Sequence, residues 1–412
     1  MSDFNLADLS FWVQEPSERH AAFKALRGTP GLPHFDEPDN ALGSDPGPRP
    51  GFYAVTRHRD ILEVGRKDDI YRSSPTSFTI GNPPAGTGEG SMISTDNPRH
   101  ARLRRIVQSA YHPRRIAQLE ASIDREAAQL VASVAGSGEC DFVETIAAPY
   151  PLINTCKMMG IPPSEHATVL KAAHALITLG SDPQYGGPFD SAPQAVIDAA
   201  VSLISIMHEL GPHRAEHPVD DVTSSLVNAN VDGEYLTTDE LGDFFMLLVI
   251  GGIETTIAAL SNGLCALTEY PDQRQLWLED PEGLAASASN EIVRWTTPAM
   301  WFRRTVGSPT VLSGTELVEG DKLMLLYASA NRDEKAFTEP MNFNVARSPN
   351  PHVGFGPPGE HFCLGAHLSR REISSLFREL LRRSPEFSAT AAPVRVRSNL
   401  YDGVRHLSCT IP

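Results

Sequence analysis

Phe355–Gly365 reads FGPPGEHFCLG, and the residues after it place Ile373, Leu376, Phe377 and Leu380 on one helical face. Cys363 therefore stands between a glycine-rich turn (Gly354, Gly356 and Gly359) and a helix N-terminus, with Gly365 just beyond it. The free N–H groups and the dipole at a helix start favour a thiolate over a thiol, the form a metal ligand or nucleophile requires. Glycines at this density let backbone approach a flat ligand closely. Taken alone, these residues leave three readings: a buried structural cysteine, a zinc ligand together with His361 and His367, or the anchor of a larger group. The zinc reading has no evident fourth ligand nearby.

Three other constellations interrupt otherwise ordinary text. Glu291 and Arg294 fall at i and i+3 and can pair on one helix face, although such pairs are usually exposed and worth about 0–1 kcal/mol. The apolar run Phe244–Ile253 (FFMLLVIGGI) leads through Gly251 and Gly252 straight into Glu254, Thr255 and Thr256. Without a function there, the acid would face solvent at a kink and the threonines would bond back to the preceding turn. His100 and Arg104, four apart, put two cationic donors on one helix face, an arrangement that suits a pair of carboxylates.

The 412 residues are 41% hydrophobic, 21% charged and 7% aromatic, an ordinary globular composition. That length exceeds the usual limit of roughly 250–300 residues for one core, so the chain forms two domains or one large fold organised around a buried cofactor. With 35 basic and 51 acidic residues the net charge is −16, which argues against nucleic acid as a partner. The five cysteines contain no CxxC pair, so neither a disulfide framework nor a zinc ribbon is indicated and a reducing cytoplasm fits. The first residues, MSDFNLADLSFWVQEP, show no signal peptide or membrane anchor. Phe244–Ile253 is shorter than the about 20 apolar residues that span a bilayer and reads as a buried helix of a soluble protein.

Pro30–Pro50 and Ser73–Ser91 read as irregular, with GFYAVTRH a strand between them. The glycines at 86, 88 and 90 do not form GxGxxG and no Walker lysine follows, so a nucleotide cradle is weakly supported. From Asp96 to about residue 300 the spacing predicts helices, one of which ends near Gly136. Alternation around Gly314 and Gly320 predicts a hairpin over roughly Thr310–Ala328. No long period repeats and no linker divides the chain, so the expectation is a single domain over residues 1–412, mainly α with a small β-rich region.

FGPPGEHFCLG resembles the haem-binding loop of the cytochrome P450 superfamily, in which a cysteine thiolate holds the haem iron. SMISTDNPRHARLRRIV, DDVTSSLV, EIVRWTTP, SANRDEKAF and NPHVGFG follow in the order of bacterial members, so the resemblance covers nearly the whole chain. The overall text is most similar to methyl-branched lipid and sterol side-chain hydroxylases. The loop carries one residue more than many bacterial members, and Pro357-Pro358 stands where glycine is common. The resemblance implies a cytochrome P450 fold binding haem b, with Cys363 as the iron's axial ligand, Phe355 near the sulfur and Gly365 beside it. It implies that His100, Arg104, Arg304 and His361 bind the haem propionates. Glu291 and Arg294 match the family's ExxR, completed by Arg347 in the meander, with Asn344 where aspartate is usual.

Gly251–Thr256 is similar to the family's oxygen-binding helix kink, with Gly251 in place of alanine. That likeness makes Thr255 the hydrogen-bond donor to the oxygen ligand, Glu254 the inward proton relay and Thr256 structural. Substrate-contacting positions by the same likeness are Phe78, Ile93, Leu248, Gly252, Met300 and Trp301. The implied activity is insertion of one oxygen atom from O2 into an apolar lipid, sterol or terpenoid, in the cytoplasm. Electrons would come from NAD(P)H through a ferredoxin and its reductase, docking on a basic patch of Arg102, Arg105, Arg370 and Arg371. The alternatives are an H2O2-driven peroxygenase and a non-catalytic haem-binding or sensor protein.

Overall fold

The computed structural model describes residues 4–37, 51–82, 90–109, 113–178, 192–230 and 233–412. The principal helices are α1 (Arg99–Ser109), α2 (Pro113–Val134), α3 (Pro149–Met159), α4 (His166–Ile177), α5 (Ala192–Glu216), α6 (Thr238–Glu269), α7 (Ala285–Thr296) and α8 (Ala366–Arg383). α6 is 32 residues long and opens with a capping box. In it Thr237 Oγ1 accepts the Glu240 N–H at 3.2 Å while Glu240 Oε2 accepts the Thr237 N–H at 3.0 Å. α3, α4, α5 and α7 pack against α6, which explains why its centre can be apolar all round. α5 and α6 are the described helices long and apolar enough to cross a bilayer by length and composition. The most apolar stretch of α6 is 61% buried inside the fold, against 28% for α5, so the core accounts for α6.

The main sheet comprises β1 (His34–Phe35), β2 (Phe52–Val55), β3 (Tyr71–Arg72), β4 (Trp301–Val306) and β5 (Lys322–Leu326) in the order β1-β2-β5-β4-β3. β2 and β5 run parallel and the other neighbours antiparallel. The GFYAVTRH strand is thus β2. The irregular tract before it contains β1, and its residues 38–50 lie outside the described residues, as do 83–89 of the second loop. The hairpin is shorter than expected. Thr310–Leu312 pairs with Thr315–Leu317 around Ser313 and Gly314, both at positive φ (49° and 83°), as a two-residue hairpin turn requires. Beyond Gly320 the chain leaves the hairpin and becomes β5, whose burial at every position suits an interior strand.

A third sheet adds a strand within the tract where helix was expected to dominate. Gly138–Asp141 is a strand paired with the C-terminal strand Ser408–Ile411, which also pairs with Ser388–Ala389. One large core lies among the helices. A second, containing Phe11, Trp12, Phe23, Phe52, Met300 and Trp301, lies between the N-terminal segment and the main sheet.

Candidate active site

α1, α6, α8, β4 and the loop before α8 enclose a cavity of about 520 Å³. Cys363 lines it and is accessible from it. The thiol is placed by the loop: Cys363 N–H donates to Phe355 O at 3.0 Å, and the N–H groups of Gly365 and Ala366 point back at the sulfur. Burial nevertheless pushes the free thiol's pKa up, against the pull of those N–H groups and of Arg104 and Arg370. The expected bias to thiolate from the helix start alone is therefore outweighed by desolvation, and a positive ion at the sulfur is what would hold the thiolate.

The two prolines fix the turn. A Cβ on Gly65 would meet Pro357 Cγ at 2.4 Å, and one on Gly359 would lie 2.0 Å from Gly65 O, so backbone meets backbone there. Gly356 takes φ +82°, the left-handed conformation that glycine supplies. Phe355 lines the cavity with the Arg370 guanidinium 4.5 Å from its ring centroid.

His100, Arg104, Arg304 and His361 converge on this cavity from α1, β4 and the loop. Neither ring nitrogen of His100 makes a hydrogen bond within 3.5 Å, although Glu360 Oε2 lies 3.6 Å from Nδ1, and Arg304 Nε is likewise buried without a partner. The His100 and His361 rings stack with centroids 3.9 Å apart, and His361 Nε2 lies 3.0 Å from Ser73 Oγ. Burial, aided by Arg304, His100 and Arg104, pulls the His361 pKa down to about 2. Donors this buried and this poorly satisfied fit a ligand that brings carboxylates. With the accessible thiol nearby, the residues fit a flat, carboxylate-bearing iron porphyrin. Zinc fails on geometry, because exposed His367 turns to Glu120, with Nε2 2.6 Å from Oε1.

α6 supplies the facing wall through Leu248, Gly251, Gly252 and Thr255, the i, i+3, i+4, i+7 set of one face. The helix runs unbroken through Gly251–Thr256, and Thr255 Oγ1 donates to Gly251 O at 2.7 Å. Gly252 also abuts α3, where an added Cβ would lie 2.8 Å from Thr155 Oγ1, whereas at Gly251 it would enter open space. Glu254 is not in the cavity wall. Being one residue and about 100° from Thr255, its buried carboxylate points to α4, with Oε2 3.4 Å from His174 Nδ1. Thr256 Oγ1 lies 3.5 Å from Glu372 Oε2, and Asn154 Nδ2 donates to Glu372 Oε1 at 3.0 Å. Burial raises the Glu372 pKa to about 8.

Glu291, Arg294 and Arg347 form one buried cluster, Arg347 reaching the shared carboxylate at 3.1 Å. Asn344 contributes its backbone N–H to Glu291 Oε1 at 2.8 Å, so an aspartate side chain is not needed there. Among the expected substrate positions Ile93, Leu248 and Gly252 line the cavity. Met300, Trp301 and Phe78 belong to the second core instead. Strand alternation explains Trp301: it faces that core while Phe302 and Arg304 face the cavity, which Pro298 and Ala299 also line. Two of the four arginines of the expected basic patch, Arg102 and Arg371, are paired with acids. Arg102 pairs with Glu234 at 2.6 Å and Glu240 at 2.9 Å, Arg371 with Asp124, and Arg370 Nε donates to Asn290 at 2.8 Å. Phe302, Glu372 and His174 were not foreseen. The two-residue spacing from Arg304 was the signal for Phe302, and none existed for the others.

The cytochrome P450 family model matches residues 284–395. A methyl-branched lipid omega-hydroxylase of Mycobacterium tuberculosis is 40% identical over 100% of this chain and 95% of its own length. A steroid C26-monooxygenase of Mycolicibacterium smegmatis is 35% identical over 86% of this chain and 82% of its own. The solved structure of a Mycobacterium marinum cytochrome P450 in complex with pseudoionone superposes with a TM-score of 0.92 at 37% identity, covering 100% of this chain and 99% of that one. With Cys363 at the mouth of an α8 helix and the buried Glu291–Arg294–Arg347 cluster behind it, the chain belongs to the cytochrome P450 family and is a monooxygenase.

Proposed function

We propose that the protein hydroxylates an apolar lipid or steroid with O2, as a single-domain cytoplasmic enzyme supplied with electrons from NAD(P)H by a ferredoxin and its reductase. One observation carries this reading: the thiol, Arg104 and the incompletely satisfied donors of His100 and Arg304 share a cavity with an apolar wall of Ile93, Phe244, Leu247, Leu248 and Phe302. Among the charged residues that also line the cavity, Arg115 is already paired with Asp220, Lys157 with Glu126 and Asp221 with Arg214. The relatives named for methyl-branched lipids and steroids support the same substrate class.

In this proposal Cys363 ligates the iron of haem b, and His100, Arg104, Arg304 and His361 hold its propionates. The haem supplies oxygen activation when bound. Thr255 presents a hydroxyl on the cavity wall and can hand a proton inward once its bond to Gly251 O is exchanged. Glu254 lies off the wall beside His174 and must turn out of that pair to pass a proton inward. The apolar wall excludes water from the reacting carbon.

The test begins with the carbon monoxide difference spectrum of the dithionite-reduced protein. A thiolate-type Soret band is expected, and Cys363→Ser should abolish it. Branched-chain lipids and steroids are then offered with a ferredoxin system and NAD(P)H, or with H2O2 alone. Hydroxylated product in the first arm supports the reading. Faster turnover with peroxide would make the protein a peroxygenase, and haem binding without product in either arm would make it a binding or sensor protein.

A further inference from the structure

We propose that Cys140 and Cys409 form a reversible disulfide that staples the C-terminal strand to Gly138–Asp141. The two residues are direct partners in the antiparallel ladder, and their sulfurs are 3.5 Å apart. Two residues further along the same ladder, Phe142 N–H donates to Leu407 O at 2.8 Å, which marks a hydrogen-bonded pair. The pattern repeats every two residues, so 140 and 409 form the same kind of pair, with Cα atoms about 5.5 Å apart. That is inside the window of about 4.4–6.8 Å that a disulfide tolerates. Because directly opposite Cβ atoms in such a pair lie about 5 Å apart and a disulfide needs roughly 3.5–4.5 Å, bonding takes side-chain rotation together with a small approach of the two strands. The remaining cysteines are placed elsewhere: Cys156 on α3, Cys265 on α6 and Cys363 in the cavity.

The environments assign an order to the chemistry. Cys140 is half-buried at the sheet edge, whereas Cys409 is enclosed between two neighbouring strands. Cys140 thiolate attacks a low-molecular-weight disulfide, forming a mixed disulfide and releasing one thiol. Cys409 then attacks the Cys140 sulfur, giving the Cys140–Cys409 bond and releasing the second thiol. In sum two protein thiols are oxidised, the external disulfide is reduced to two thiols, and the two cysteine protons pass to the released thiolates. The second attack is intramolecular between sulfurs already in contact, and burial of Cys409 shields the finished bond from reductants.

The staple acts on the fold rather than on the chemistry. It closes a loop containing most of the chain, which restricts the unfolded state. It also braces the segment in which Tyr401 OH donates to Glu254 O at 2.8 Å on α6. In a reducing cytoplasm the pair stays dithiol, and the bond forms under disulfide stress.

The experiment uses the haem-loaded protein equilibrated with oxidised glutathione or with dithiothreitol. After oxidation, proteolysis without reduction should yield one linked species containing Cys140 and Cys409, lighter by two hydrogens than the separate peptides. The thermal midpoint should rise by about 5 °C and return on reduction. Cys140→Ser and Cys409→Ser should each lose both effects while keeping the carbon monoxide band. Full alkylation of both cysteines after oxidation, glutathione persisting on Cys140 without the cross-link, or the same midpoint shift in Cys140→Ser would overturn the proposal.

Discussion

Arg294 grips the Glu291 carboxylate through Nε and Nη2, both at 2.7 Å, and neither side chain is exposed. The remaining Arg294 donors go to the carbonyls of Asn331, Pro340 and Asn342. Arg347 reaches the same carboxylate and bonds Thr338 O and Asn342 O at 2.7 and 2.8 Å. One acid therefore neutralises two arginines that fasten the meander before the Cys363 loop. Glu291→Ala strips both arginines of their counter-charge, and the expected cost is about 3–5 kcal/mol, seen as a lower urea midpoint and lost haem. Arg294→Lys should cost nearly as much, because an ammonium cannot reproduce the fork. Normal haem content in both variants would refute this account.

Gly65 is required by the loop and Gly251 is not. A Cβ at Gly65 overlaps Pro357, whereas at Gly251 it meets nothing within 4 Å. Gly65→Ala should destabilise by about 1–3 kcal/mol and speed haem release. Gly251→Ala removes a helix-interior glycine and should stabilise by about 0.5–1 kcal/mol. Chemical denaturation of the two variants side by side decides it, and equal effects would count against the packing argument.

Thr255 and Glu254 are neighbours in sequence but point to different places, so their variants should fail differently. Thr255→Ala alters the cavity wall and should lower product formed per NAD(P)H consumed, with electron consumption retained. Glu254→Gln leaves the wall intact and should slow turnover by on the order of 10-fold or more, with substrate-binding spectra unchanged. Matching losses of coupling and rate in the two variants would place both side chains in one role.

The parts of this site legible in the sequence are those fixed by local spacing. Glu291 and Arg294 lie one helical turn apart, His100 and Arg104 share a face, and the glycines around Cys363 announce a tight turn whatever the rest of the chain does. Direction across longer distances was not legible. Gly138–Asp141 becomes a strand only because Ser408–Ile411 lies beside it, and Cys140 meets Cys409 for the same reason. Glu254 turns to His174 because α4 packs there, a fact of tertiary packing that no helical wheel of α6 contains.

The same limit misplaced Trp301, and it yields a clean contrast. β4 pairs with β5 in a register that buries Trp301 in the second core and turns Phe302 to the cavity. Trp301→Ala should cost about 3–5 kcal/mol of stability with little change in the affinity of the folded fraction. Phe302→Ala should weaken lipid binding, read from the spin-state shift, at a smaller cost in stability. Reversed outcomes would mean that the strand sits one residue out of this register.

Glu372 gives the protein a stability that depends on pH in a definite sense. Its folded pKa is raised by burial to about 8 from an ordinary 4.5, so between these values the folded state holds a proton that the unfolded state has lost. Its protonated form is thus fully compatible with the fold below about pH 4.5. The penalty grows as pH rises and reaches roughly 3 kcal/mol at pH 7, levelling off above about pH 8. Glu372→Gln keeps a polar group beside Asn154 and Thr256 but cannot titrate. The variant should match the parent near pH 5 and exceed it above about pH 7, with urea midpoints measured across that interval. Parallel pH profiles for the two proteins would show that Glu372 is ionised in the folded state, and a compensating cation would then have to be found near α8.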